Sequence, residues 1–546
     1  MSPRLASPHR AGRSVVMARR GMVATSHPAA TLAGLDMLRA GGSAIDGAVA
    51  AAAMLAVVEP MMTGIGGDAF LLYHLADPDG GRGELLGLNG SGRSPLALKR
   101  SDIAGPAIDP DTWPAVTVPG AVDLWQTAHR RLGRLRFADL LGPAIETAEA
   151  GFPVSERVQS MWRACVPRLR GDRAAAEHYL TSGEAPALGA VFRSPALARS
   201  LRRIAEGGRD AFYEGPIAEE IVRYARGTGG FLELEDLRRH ESTWVDPIGT
   251  MYRGREVSQL PPNGQGLGVL LMLNLLENFD LASMDVAGTE HTHLLVEAKK
   301  LAYADLHAHV GDPEAEPLRG AGGVPLAELL DKAYARERSR LIDPGRAADG
   351  AAPGGIPSGA AGVGSDTVYL AVVDGEGNAA SFINSLFAPF GAAIAGGDTG
   401  IMLHCRGAGF TLEPGHPNAY RPGKRPFHTI IPGIVLDRGR LELCYGVMGG
   451  PFQPQGHVQI LTNHYDHGLP LQAAIDRPRW RHTAGLDLLC ERGMEPETVE
   501  GLAALGHRVR SAGGAEFGGA QAISVGRHGT LYGASDPRKD GLALGY

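Results

Sequence analysis

Two periods of hydrophobic and polar positions organise the chain. In 291–310 (HTHLLVEAKKLAYADLHAHV), Leu294, Leu295, Ala298, Leu301 and Ala302 recur at helical spacing and predict a helix. The run Ala48–Val58 is apolar throughout and Ala-rich. It is too short to cross a bilayer and reads as a buried helix. The turn cluster PPNGQG (261–266) leads into a further apolar helix. Residues 346–366 (RAADGAAPGGIPSGAAGVGSD) are Gly, Ala, Pro and Ser almost throughout, without apolar period, and predict a flexible exposed loop. The period then changes to that of a sheet. TVYLAVVD (367–374) is rich in β-branched and aromatic residues, GEGN (375–378) is a turn, and AASFINSLF (379–387) is the next strand.

These patterns divide the chain into a flexible N-terminal segment (1–22), a large part (23–345), the loop 346–366, and a C-terminal part (367–546) that opens on a strand. From composition alone the loop is an interdomain linker. A mobile segment running directly into a core strand also suits a chain that is cut there, since cleavage needs exposed backbone and the new terminus would be held by the sheet.

Composition narrows the function. The chain has 546 residues, 44% hydrophobic and 21% charged, with net charge −7. That is ordinary for a globular protein and lacks the basic surplus of a nucleic-acid binder. Gly, at 76 residues, is about twice its average usage; with no G-X-Y repeat this means tight turns and close backbone approach. The four cysteines lie far apart and form no metal or redox motif. The basic N-terminus MSPRLASPHRAGRSVVMARRG has no apolar core of a signal peptide, so a cytoplasmic location without membrane contact is expected.

Among candidate chemistries, HTH (291–293) and HAH (307–309) invite a metal reading. Residues i and i+2 do not share a helix face, and His293 with Glu297 supplies only two ligands. These histidines are expected to be solvated, with no metal bound. GIGGDAF (64–70) is neither a P-loop nor a dinucleotide fingerprint, and no G-x-S-x-G elbow occurs. Thr367 remains. Were the bond before it broken, one residue would hold both a nucleophilic hydroxyl and an α-amine, which titrates near neutrality and can act as base. MGGP (448–451) offers adjacent backbone N–H groups at Gly449 and Gly450 for an oxyanion.

Several motifs in order give the chain a resemblance to the γ-glutamyltranspeptidase (glutathione hydrolase) family of N-terminal-nucleophile hydrolases. They are ATSHPAATLAGLDMLRAGGSAIDGAVAA (24–51), GIGGDAF (64–70), VPGAVDLW (118–125), LPPNGQGLG (260–268), EAKKLAYADLHAHVGDP (297–313), GDTGIML (397–403), PGHPNAYRPGKRP (414–426), MGGP (448–451) and GGAQAISVGRHGTLYGASDPR (518–538). The resemblance implies an α+β fold, a four-layer αββα sandwich. It implies self-cleavage between Asp366 and Thr367 into large and small subunits that stay associated, attack by Thr367 on a small-molecule amide, and an oxyanion held at Gly449 and Gly450. It implies substrate contacts at Arg93, Ser385, Arg406, His428 and Thr429, and no cofactor.

The pocket departs from the family's usual pattern. Val368 and Tyr369 replace the Thr-His that usually follows the nucleophile, and Phe387 replaces an Asn. The Arg that clamps the substrate α-carboxylate aligns near Ser91, with Arg93 shifted from it. The Gln and Asp that read the α-amino end become Arg406 and Gly409, and a Ser-Ser pair becomes His428 and Thr429. The segment before GKRP is short, which implies that the lid loop of some members is absent. Gly409 cannot pair with an ammonium, and Arg406 would repel one. An acyl group with a carboxylate but no α-amine, of glutaryl or oxamate type, is therefore expected beside the γ-glutamyl reading. A catalytically silent binding homologue is the alternative of a different class.

Overall fold

The computed structural model describes residues 13–354 and 366–546. Fourteen strands form two seven-stranded antiparallel sheets. In chain order they are β1 (Val16–Ala18), β2 (Met22–Thr25), β3 (Asp68–Leu75), β4 (Glu84–Asn89), β5 (Thr243–Val245), β6 (Ile248–Tyr252), β7 (Arg255–Gln259), β8 (Asp366–Val373), β9 (Ala379–Phe387), β10 (Gly433–Asp437), β11 (Arg440–Met448), β12 (Gly519–Val525), β13 (Leu531–Ser535) and β14 (Leu542–Gly545). One sheet runs β14-β2-β8-β9-β3-β4-β5, the other β1-β13-β12-β11-β10-β7-β6.

Beyond Thr367, strand β8 is apolar at every position, Val368 to Val373, because both its faces are covered. Val368, Leu370 and Val372 pack into the helical layer, whereas Tyr369, Ala371 and Val373 fill the space between the sheets. On the helical side lie α1 (Pro28–Arg39) and α2 (Ala44–Val58). Every residue of α2 is buried, as its composition predicts. Gly34 and Gly47 let α1 and α2 cross closely: a Cβ on Gly34 would stand 2.9 Å from the Gly47 carbonyl oxygen. Asp374, in the turn after β8, accepts the Ala44 N–H at 3.0 Å and ties the hairpin to the start of α2. Behind the other sheet lie α3 (Gly266–Leu276), α4 (Thr289–His309) and α5 (Gln453–Tyr465). The result is the expected αββα sandwich.

Each sheet combines strands from before residue 355 with strands from after residue 365. A cut between the two parts would leave them interleaved, with no separable surface.

Three expectations need correction. The N-terminal segment 1–22 is not loose throughout, since Val16–Ala18 pairs with Leu531–Gly533; residues 1–12 lie outside the described residues. The loop 346–366 is pinned over its first part. Ala347 N–H donates to the Leu505 carbonyl (2.7 Å), Lys300 Nζ to Ala348 (2.6 Å), Arg338 Nη2 to Ala352 (2.9 Å), and Gly354 N–H to Asp305 Oδ1 (2.8 Å). The rest of the expected loop, 355–365, lies outside the described residues. The histidines of α4 are not solvated. His291 and His293 are buried and His307 and His309 half-buried, because α4 is enclosed on nearly every side and its polar positions face other elements. The cysteines are free and buried. Among the described residues no helix is long and apolar enough to cross a membrane.

Candidate active site

Thr367 lies at an irregularity in the sheet. The β8–β9 register pairs Asp366 with Phe387 but Val368 with Asn384, so two residues of β9, Ser385 and Leu386, stand opposite Thr367. Such a bulge re-aims side chains, and Phe387 takes a left-handed φ of 77° beside it. Thr367 and Ser385 are wholly buried, and their hydroxyl oxygens lie 3.0 Å apart. Ser385 Oγ also accepts the Phe387 N–H at 2.9 Å.

On the next strand Asp68 stands directly opposite Ser385. Thr367, Ser385 and Asp68 thus form a row across three neighbouring strands, spanning roughly 10 Å at the usual strand spacing. Asp68 Oδ2 accepts from His428 Nε2 (2.7 Å) and Arg406 Nε (3.2 Å), with His404 Nδ1 also 3.2 Å away. All four side chains are wholly buried. Burial alone would raise the Asp68 carboxyl, but His404 and His428 offset this and hold it well below the usual range. Burial, then neighbouring Arg406, pushes His428 down to about 3. It is therefore neutral, with Nε2–H donating to Asp68 and Nδ1 accepting the Ile430 N–H at 3.4 Å. Burial lowers Arg406 to about 10 against the pull of Asp68, so the guanidinium remains charged at neutral pH.

Arg406 is fixed on three sides. Nε holds Asp68, Nη1 donates to Thr429 Oγ1 at 2.8 Å, and the guanidinium lies 4.4 Å over the Phe387 ring. Its Nη2 is buried without a hydrogen-bond partner. A buried charged donor with no partner is costly; an acidic ligand would satisfy it.

Arg93 does not join this cluster. Nη1 donates to Asp312 Oδ2 (3.1 Å) and to the Gly423 carbonyl (3.2 Å), and Nη2 to Glu314. It lines a cleft of about 470 Å³ with Ser91, Asp236, His240, Glu314 and Arg425. The structure does unite Ser385, Arg406, His428 and Thr429 around Thr367 and Asp68.

From the facing sheet, β11 ends at Met448 and the chain turns through Gly449 and Gly450, with φ of 122° and 55°. Both values favour glycine, and a Cβ on Gly449 would lie 3.1 Å from Gly518 Cα. The PPNGQG turn braces the surroundings. Asn263 Nδ2 donates to the Pro426 carbonyl (2.7 Å) and Ser91 Oγ (3.1 Å), and Gln265 Nε2 to the carbonyls of Thr429 (2.5 Å) and Gly450 (2.8 Å). Asp68, His404, Asn263 and Gln265 received no role from the sequence. The available signal was an acid inside the otherwise apolar GIGGDAF and two amides inside a Gly-Pro turn.

Away from this site, His507 joins His293 and Glu297, and their ligand atoms lie within 4.8 Å of one another. Lys300 Nζ sits 2.7 Å from Glu297 Oε1 and supplies its counter-charge. His293 Nδ1 lies 2.9 Å from His507 Nε2, and its Nε2 lies 2.8 Å from the Asp343 carbonyl. The group ties α4 to the chain that leads toward residue 354.

A hydroxyl at a sheet bulge, a Gly-Gly turn and an oriented cation can together bind an amide, attack its carbonyl and hold the resulting oxyanion. A profile of the gamma-glutamyltranspeptidase family matches residues 30–546. The chain is 40% identical to a glutathione hydrolase-like proenzyme of Bacillus subtilis, over 97% of this chain and 99% of that one. It is 37% identical to an oxamate amidohydrolase proenzyme of Klebsiella pneumoniae, over 96% and 98%. Among solved structures it is similar to a cephalosporin acylase from Bacillus halodurans, with a TM-score of 0.91, 38% identity, and coverage of 100% and 99%.

Proposed function

Because the chain belongs to the gamma-glutamyltranspeptidase family of N-terminal-nucleophile hydrolases, we propose that it is a self-processing threonine amidohydrolase whose acyl group carries a carboxylate bound at Arg406. Maturation begins when Thr367 Oγ attacks the carbonyl carbon of Asp366. The C–N bond breaks, the acyl group passes to oxygen, and water hydrolyses the ester. This leaves Asp366 with a free carboxylate and Thr367 with a free α-amine. In turnover that amine takes the hydroxyl proton as Thr367 Oγ adds to the substrate amide. Gly449 and Gly450 N–H groups hold the oxyanion. The proton passes to the leaving amine, and the acyl-Thr ester is released to water or an acceptor amine. Ser385, 3.0 Å from Thr367 Oγ1, orients the hydroxyl.

One observation carries the substrate reading: Arg406 Nη2 is buried and unpartnered, on a guanidinium already locked to Asp68 and Thr429. A carboxylate there gains a charge-assisted hydrogen bond. Asp68 holds His428 and Arg406 through Oδ2 and takes the Gly92 N–H at 3.4 Å through Oδ1, and the adjoining Arg406 guanidinium counters its charge toward an ammonium. Glutaryl- and oxamate-type amides fit this pocket better than a zwitterionic glutamyl head. The γ-glutamyl reading is kept by the similarity to a glutathione hydrolase-like relative. Comparing kcat/KM on glutaryl, oxamate and γ-glutamyl amides tests the proposal. It fails if the γ-glutamyl amide is preferred.

A further inference from the structure

The Gly-Gly turn raises a mechanical question. An oxyanion site works only if its N–H groups point correctly before the substrate arrives, yet glycines have the least intrinsic backbone preference. Their direction must come from elsewhere. One constraint is local: Phe452 N–H donates to the Gly449 carbonyl at 3.1 Å. In a trans peptide this turns the Gly450 N–H the opposite way. The next peptide plane is held from outside the turn. Gln265 Nε2 donates to the Gly450 carbonyl at 2.8 Å and, with its other hydrogen, to the Thr429 carbonyl at 2.5 Å. Gln265 is itself buried at the start of α3, and its backbone N–H donates to His428 at 2.9 Å. A second brace comes from α4, where Tyr303 donates its hydroxyl to the Pro451 carbonyl at 2.5 Å.

We propose that Gln265 is a positioning residue that sets the oxyanion turn against the acyl pocket, its single amide group bridging the turn at Gly450 and the pocket wall at Thr429. The proposal rests on the Thr367 mechanism above. It goes beyond it in assigning the geometry of the turn to an amide in the PPNGQG turn at the start of α3. Tyr303 acts in the same sense from the other side, on one carbonyl only.

The test uses the processed enzyme, with rates expressed per mole of small subunit starting at Thr367. Gln265→Glu replaces a two-hydrogen donor by an acceptor facing two carbonyls, and Gln265→Met removes the donors while keeping the bulk. Both are expected to lower kcat on the order of 10- to 100-fold, the cost of a misplaced catalytic group. Because the lost interaction belongs to the transition state, KM should stay within a few-fold. Tyr303→Phe should lower kcat in the same direction by a smaller factor, and it decides the matter if the Gln265 variants do not fold. A kcat within twofold of wild type in the processed variants, with only a lower melting temperature, would overturn the proposal and leave Gln265 a structural brace. A wild-type chain without Thr367-dependent hydrolysis would instead overturn the mechanism on which it rests.

Discussion

Replacing Arg406 by Ala removes the cation that, among the described residues, is placed to meet an acyl carboxylate, and its consequences can be worked out. Arg406 and Asp68 are wholly buried and joined at 3.2 Å. A charge-assisted hydrogen bond from Nη2 to the substrate contributes about 1.5–3 kcal/mol, or about 10- to 150-fold in kcat/KM. A γ-glutamyl substrate brings an ammonium near the same guanidinium. At about 5 Å and an effective dielectric of about 20, two positive charges repel by roughly 3 kcal/mol, and Asp68 offsets part of that. Both acyl groups carry the carboxylate, so the repulsion alone discriminates between them: a glutaryl anilide should exceed the γ-glutamyl anilide by up to about 150-fold in kcat/KM, and Arg406→Ala should bring the two close together. The variant also strands Asp68 in the core, and breaking a buried pair costs about 3–5 kcal/mol. The double variant Arg406→Met with Asp68→Asn removes both charges, so it should recover much of that stability without recovering the preference. Kinetics on both anilides, with melting temperatures for the three proteins, separate selectivity from folding. A γ-glutamyl preference that Arg406→Ala leaves unchanged would refute the reasoning.

Other outcomes follow from the same structure. Thr367→Ala should remain one chain near 57 kDa by intact mass, whereas wild type should yield fragments ending at Asp366 and beginning at Thr367; a cut elsewhere would count against the assignment. The two wild-type fragments should co-elute in native gel filtration and part only in denaturant, because each sheet takes strands from both. Gly449→Ala should lower kcat by at least about tenfold, since φ of 122° strains an L residue and its Cβ would press on Gly518; unaltered turnover would make the turn incidental. Burial holds His457 at about 3. Unfolding frees it to titrate near 6.5, so the unfolded chain binds the extra proton, and stability is lost as pH falls from about 6.5 toward 3. The slope is up to about 1.4 kcal/mol per pH unit from this group. Urea titrations of the Thr367→Ala chain at pH 7, 6 and 5 should find that His457→Gln flattens the dependence.

Features that depend on a few consecutive residues are legible in the linear chain. The all-apolar Ala48–Val58 run, the TVYLAVVD–GEGN–AASFINSLF hairpin and the Gly449-Gly450 turn each carry their signal within one element, through burial on both faces, turn chemistry or the need for positive φ. The order of the family motifs carries the αββα architecture and makes Thr367 the candidate nucleophile. Partnership is not legible, because side chains far apart in sequence meet only when strands fall into register. Arg406 and Arg93 look equivalent in the sequence, as loose cations near the site. Folding commits Arg93 to Asp312 and Glu314 and commits Arg406 to Asp68, 338 residues away. Asp68 reads as part of a glycine turn until β3 sets it opposite Ser385. The histidines of α4 read as solvated because helical period reports one buried face, while α4 is enclosed almost all round and meets His507 from the end of the chain. Local conformation is thus a property of short stretches of sequence. Which charges are paired, and that Arg406 Nη2 is left open, is settled by folding, because a buried charge is defined by every neighbour that reaches it.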